Sequence, residues 1–247
     1  MSMEKAMKQN RFPQGWDEDR VRGVLEYYEN QTDEEAILED EIAERYTGPM
    51  AIPLLKDIPL APPDDLGPYR RKDYAALPEQ PRCELIYGRF YLSPSPLLLH
   101  QAVVFLLAET LRRTTRQAGS WVFIAPLDVH LRDHSVVQPD VIYVSPARKG
   151  ILQKWIEGAP DLLIEVLSPG TARNDRGEKL RLYAENDVHE YWIVDPFERQ
   201  IEFLRNEGGE FVVALPEGSE YRSKAFPEIR LNLIELWQDV AAQLPNG

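Results

Sequence analysis

Residues 161–169, Asp161-Leu162-Leu163-Ile164-Glu165-Val166-Leu167-Ser168-Pro169, decide how the rest of the chain is read. From Leu162 to Leu167 the run is apolar without alternation and too short for a buried helix, which predicts a strand covered on both faces. Glu165 stands in its middle. An ionised carboxylate in such a place is costly unless a cation or hydrogen bonds compensate it. Behind the strand, Asn174 to Asp187 reads as a helix with Asn174 as its N-cap. Asp175, Lys179 and Tyr183 follow at i, i+4 and i+8 and share a face. If the N-terminal half of that helix leans over the strand's end, Lys179 comes near Glu165 and can orient a water or offset charge on phosphorus. The alternative is a surface Asp175–Lys179 pair worth only about 0.3–0.5 kcal/mol.

Upstream, Pro139-Asp140-Val141-Ile142-Tyr143-Val144 holds a carboxylate at the start of a second apolar strand. The proline cannot donate to a ladder and so marks the strand's beginning. Alone, Asp140 reads as a turn or capping residue. If the two strands are neighbours, Asp140 and Glu165 converge on one cation, and hard oxygen ligands of this kind suit Mg2+ or Mn2+. Glu84, an acid opening another strand-like segment, is a further candidate. His100, at the start of a long helix, is either a general base or a polar residue near the helix cap. A G-x-S-x-G elbow, an H-E-x-x-H pair, a Walker A loop and a G-x-G-x-x-G turn are all missing. A paired-carboxylate glycosidase stays open on the carboxylates alone, with no sugar-stacking platform beside them.

The remaining segments fill in the α/β pattern. Glu84–Leu92, centred on Gly88, predicts a hairpin. A helix is expected from about Leu98 to Gln117, with Ala102, Phe105, Leu106, Ala108 and Leu111 on its core side and Arg112, Arg113 and Arg116 in a basic last turn. Strands are expected at 121–124, 128–131, 141–144, 162–167 and 190–194. One or two helical turns are expected within 149–157, a hairpin pair at 200–205 and 210–215, and a closing helix at 233–243. The central order, helix, three strands, helix, strand, predicts a mixed sheet flanked by helices.

The 247 residues carry a net charge of −13, unevenly spread. Residues 1–68 hold 16 Asp/Glu against 7 Lys/Arg, while residues 69–247 hold 25 against 21. An acidic N-terminal stretch repels polyanions and the near-neutral remainder can carry a basic face, so net charge neither supports nor excludes nucleic acid. Trp16-Asp17-Glu18-Asp19 and the capping box Thr32-Asp33-Glu34-Glu35 predict helices within 15–46. Six prolines in 48–68 predict an extended linker. The domains expected are therefore an acidic helical arm at 1–47, a Pro-rich linker at 48–72 and a main domain at 73–247. One cysteine, Cys83, leaves no internal disulfide or Cys-rich zinc site. No apolar run reaches the roughly 18 residues of a membrane span, and Met1–Gln14 has no secretory h-region. No membrane partner and a cytoplasmic address are expected.

Together, Pro139-Asp140, Ile164-Glu165-Val166-Leu167-Ser168-Pro169, Asp175, Gly177-Glu178-Lys179-Leu180, Tyr183 and Glu190-Tyr191-Trp192-Ile193-Val194-Asp195-Pro196 resemble the Uma-two family of bacterial endonucleases. That family belongs to the restriction-endonuclease-like, PD-(D/E)XK superfamily, and the resemblance covers about Tyr74 to Leu236. It implies a four-stranded mixed sheet flanked by helices and Mg2+-dependent cleavage of phosphodiester bonds. Asp140 matches the motif's aspartate, Glu165 its second acid and Glu84 the family's early acid. Leu167 occupies the place of the motif's lysine, and Lys179, in the following helix, fits a displaced one. The expectation is thus a metal-dependent DNA endonuclease with Mg2+ or Mn2+ on Asp140, Glu165 and Glu84 and with Lys179 supporting the water. Arg173, Arg176 and Arg181, with Arg112, Arg113 and Arg116 further off, are expected to hold the phosphate backbone. Cutting both strands of a duplex favours a homodimer. The alternative is an inactive fold kept as a DNA-binding or protein-interaction module. The arm is expected to be regulatory, as a DNA mimic or a tether.

Overall fold

A computed structural model describes residues 66–77, 82–93, 95–168 and 172–244. The expected arm at 1–47 and the linker up to residue 65 lie outside the described residues. In chain order the elements are α1 (Arg71–Tyr74), β1 (Cys83–Ile86), β2 (Arg89–Leu92), α2 (Leu98–Thr115), β3 (Trp121–Ile124), β4 (Val129–Arg132), β5 (Ser135–Val137) and β6 (Val141–Val144). Then come β7 (Ile156–Glu157), β8 (Leu162–Val166), α3 (Ala172–Asn174), a π-helical turn (Asp175–Lys179) and α4 (Leu180–Glu185). The chain closes with β9 (Glu190–Asp195), β10 (Gln200–Glu207), β11 (Glu210–Val213), β12 (Glu220–Arg222), β13 (Arg230–Asn232) and α5 (Leu233–Gln243).

Two compact units divide these elements: Met1–Pro94 with Arg132–Val136, and Ser95–Leu131 with Val137–Gly247. In the first, β1 and β2 form the expected hairpin, with Glu84 across from Tyr91. Its turn residues Tyr87 and Gly88 both take positive φ, 48° and 76°, the backbone that lets a two-residue loop follow the strands' twist. Gly67 lies against that turn, its N–H donating to the Tyr87 carbonyl at 2.8 Å. A Cβ at Gly67 would meet the Gly88 carbonyl oxygen at 2.2 Å, so only glycine fits. On its other side β1 pairs antiparallel with β5 through Leu85 and Val136.

The second unit is built on a six-stranded sheet of order β11-β10-β9-β8-β6-β3. β8 is antiparallel to β6 and parallel to β9, so the sheet is mixed, as expected. The four strands implied by the resemblance are exceeded by two. A parallel neighbour cannot be reached by a tight turn, and the helical segment 172–185 provides the crossover. All five residues of β8 are buried, because helices cover both faces of the sheet. On one face Val103, Leu107 and Leu111 of α2 and Leu236 and Val240 of α5 pack with Val141, Tyr143, Leu162, Ile164, Val166, Trp192 and Val194. On the other, α4 lays Tyr183 edge-on against Tyr191 at 4.9 Å. Glu165 alternates onto this second face.

Some local expectations need correction. Phe105, placed on the core side of α2, is 55% exposed, because buried Val103, Val104, Leu106 and Leu107 carry the packing. Asn174 is no N-cap: it has helical φ/ψ and no side-chain cap bond, and the helix has already begun at Ala172. The segment expected to be helical within 149–157 is a 3-10 turn at Pro146–Ile151 followed by β7. Strands β5, β12 and β13, of three residues each, were not expected. No helix among the described residues is long and apolar enough to cross a membrane.

Candidate active site

The antiparallel register pairs Val141 with Ile164, and one residue further out it sets Asp140 across from Glu165 at the sheet's end. Asp140 is held there through one oxygen. Its Oδ2 accepts the backbone N–H of Val166 at 2.8 Å and lies 3.2 Å from Nε2 of His100, in the first turn of α2. His100 is buried, and its Nδ1 has no hydrogen-bond partner among the described residues.

Glu165, 4% exposed, is held from the opposite face of the sheet. Its Oε1 accepts from Lys179 Nζ at 3.0 Å and from the Tyr183 hydroxyl at 2.8 Å. Lys179, itself 5% exposed, lies 3.3 Å from Asp175 Oδ1 as well. The Asp175–Lys179 pair is therefore buried in the site and is not the surface pair that sequence spacing alone allows. Both residues belong to the π-helical turn. Such a turn widens the helix by a residue and is frequent at functional sites. Below it, Tyr191 donates its hydroxyl to the Asp175 carbonyl at 3.0 Å. Burial, then the Asp175 and Glu165 charges, push the Tyr191 phenol well above its ordinary range, so it remains a donor.

Glu165 and Asp175 thus share the Lys179 ammonium in a buried place, while Asp140 adds a third carboxylate beside His100. That excess of hard oxygen suits a divalent cation which keeps most of its waters, as Mg2+ does on one or two carboxylates. Among the described residues no three His, Cys, Asp or Glu side chains form a metal-holding group, so the fit rests on Asp140 and Glu165 with water. Glu84 is buried on β1 in the other unit. Arg176 and Arg181 are engaged with acids, Arg176 with Glu202 at 2.9 Å and Arg181 with Glu185 at 3.0 Å.

A family model, Uma2, described as "Putative restriction endonuclease", matches residues 71–233. The chain belongs to the Uma2 family. A solved structure, "a putative nuclease belonging to DUF820" from Anabaena variabilis, is similar to this Uma2 chain with a TM-score of 0.60 at 21% identity. The match covers 70% of this chain and 99% of that one, and at this identity it bears on the fold. No curated protein matches the chain. The α/β fold of mixed sheet and flanking helices agrees with both findings.

Of the residues singled out in the sequence, Lys179 contacts Glu165 at 3.0 Å, and Asp140 bonds the N–H of Val166 beside it. Sequence reasoning missed Tyr183 as a partner of Glu165, although the i+4 spacing from Lys179 was the available signal. His100 takes its place beside the site through its contact with Asp140.

Proposed function

We propose that this Uma2 chain is a metal-dependent endonuclease that hydrolyses DNA phosphodiester bonds with Mg2+ or Mn2+. The observation that carries the reading is the buried Lys179–Glu165 contact at 3.0 Å, with Asp140 on the neighbouring strand bonded to the N–H of Val166, the residue after Glu165. A buried ion pair is a poor way to gain stability, since desolvating the two charges offsets their attraction. A site needing a fixed cation beside metal-binding carboxylates is a better reason to keep one.

Asp140 and Glu165 would hold the metal, which when bound supplies an acidified water and draws off phosphoryl charge. In the hydrolysis a water oxygen bonds to phosphorus while the bond to the leaving sugar oxygen breaks, and that oxygen takes up a proton. Lys179 offsets charge on the five-coordinate phosphorus and orients the water. Asp175 and Tyr183 keep the Lys179–Glu165 geometry fixed, so little reorganisation is needed as charge develops. The Val166 N–H and His100 do the same for Asp140.

The test is a Mn2+ titration by calorimetry paired with plasmid cleavage, on the natural chain and on Asp140→Asn. Loss of both Mn2+ uptake and cleavage in the variant supports the reading. Equal cleavage by both proteins would refute it. Tight DNA binding with no cleavage in either metal would instead identify an inactive DNA-binding module.

A further inference from the structure

Surface arginines of the second unit are mostly spoken for by acids: Arg176 by Glu202, Arg181 by Glu185, Arg205 by Glu207 and Arg222 by Glu220. The last turns of α2 differ. Arg112, Arg113 and Arg116 are all exposed, and among the described residues none of them forms an ion pair. The chain turns immediately after them, Ser120 Oγ donating to the Thr115 carbonyl at 3.3 Å, so that β3 starts beside the helix end. At the first residue of β3, exposed Lys149 lies with Nζ 5.9 Å over the ring of half-buried Trp121. Four cations and an aromatic face are thus collected at one corner of a chain whose net charge is −13.

This corner is not the catalytic end. From His100 to Arg112 and Arg116 the helix runs 12 and 16 residues, about 18 and 24 Å at its rise of 1.5 Å per residue. These arginines therefore cannot touch the phosphate that meets Asp140 and Glu165. A duplex rising about 3.4 Å per base pair covers the same distance in five to seven base pairs. From this spacing we infer that Arg112, Arg113, Arg116 and Lys149 form a second contact site, gripping the sugar-phosphate backbone of the DNA five to seven base pairs from the cut. The inference rests on the endonuclease reading for its partner, and on the corner's own charge and position for its place. Contacts of this kind set register and affinity and carry no base information.

The test uses the full chain with Arg112→Gln, Arg113→Gln and Arg116→Gln combined, exposed positions whose change leaves the core intact. Binding of a labelled 24-base-pair duplex is followed in EDTA, where cleavage does not interfere, across a range of salt. Each lost phosphate contact lowers the slope of log affinity against log salt by about 0.9, so the triple variant should lose about 2 to 3 from its slope. A control pair on the β12–β13 ribbon, Arg222→Gln with Arg230→Gln, should lose less than one. Equal slopes for the natural chain and the triple variant, or equal losses in variant and control, would overturn the inference. The slope and the cleavage assay fail separately. A reduced slope with no cutting by any protein sinks the nuclease and keeps the corner, and normal cutting with an unchanged slope does the reverse.

Discussion

Lys179 Nζ lies 3.0 Å from Glu165 Oε1 with both side chains buried, and it arrives from a helix rather than from the strand that carries Glu165. Two residues past Glu165, where the superfamily motif carries its lysine, stands Leu167, only 4% exposed. The strand end is sealed by an apolar side chain, and the cation is delivered across the gap by the π-helical turn. Glu165 Oε1 takes both Lys179 and the Tyr183 hydroxyl.

Removing the lysine strands its partners. Lys179→Met leaves Glu165 and Asp175 buried without their ammonium, and breaking a buried pair from one side costs about 3–5 kcal/mol. Denaturant midpoints at neutral pH should show a loss of that size, with part of it recovered in the Glu165→Gln, Lys179→Met double variant. A loss under about 1 kcal/mol would mean the pair is not buried as described.

Tyr183→Phe deletes one hydroxyl and keeps the ring packed on Tyr191. A hydrogen bond to a charged group contributes about 1.5–3 kcal/mol, so a modest stability loss is expected. Cleavage at saturating DNA should slow while DNA affinity stays the same. If affinity fell and the saturated rate did not, Tyr183 would belong to DNA binding and not to the positioning of Glu165.

At the other end of β8, Asp161 is buried. Burial alone would raise its pKa, but the His189 ring at 3.2 Å, the Ser145 N–H at 2.6 Å and the nearby Arg148 charge outweigh it and hold the carboxyl below its ordinary value of 3.8. A carboxyl depressed on folding stabilises the fold fully when the pH is well above that ordinary value. The contribution is lost as the pH falls through the folded-state pKa. Asp161→Asn should therefore be less stable than the natural chain at neutral pH, and the two stability curves should converge as the pH falls through the folded-state pKa of Asp161, below its ordinary 3.8. A gap that stayed constant down to acid pH would show that the ionisation of Asp161 contributes nothing.

Gly67→Ala tests the packing of the first unit. The added methyl would press on the Gly88 carbonyl, which is backbone and cannot swing aside. Overpacking of this kind costs about 1–3 kcal/mol, to be read as a lower denaturant midpoint. Unchanged stability would show that the turn yields without cost.

How much of this was legible in the sequence depends on how local its cause is. Val141–Val144 and Leu233–Gln243 fall where the apolar pattern puts them, and the structure adds the cap of α5, Asn232, whose side-chain oxygen accepts from the Ile234 and Glu235 N–H groups. Asp175, Lys179 and Tyr183 share a face by spacing alone. Their burial does not follow from spacing, because it depends on β9 bringing Tyr191 beneath the turn. The π-helical turn has no signature in apolar periodicity, so Asn174 was read as a cap when it sits inside the helix. Three-residue strands such as β12 and β13 carry too few alternations to register. Phe105 fits the apolar stripe of α2 by spacing, yet the helix buries its neighbours and turns that ring outward.

The central claim is that Glu165 serves a metal-dependent cut. Supercoiled plasmid incubated with the pure chain, with and without Mg2+ or Mn2+, and in parallel with Glu165→Ala, tests it most directly. Nicking by the natural chain is expected only when metal is present, and none by the variant at equal folded fraction. Unchanged cleavage by pure Glu165→Ala would contradict it.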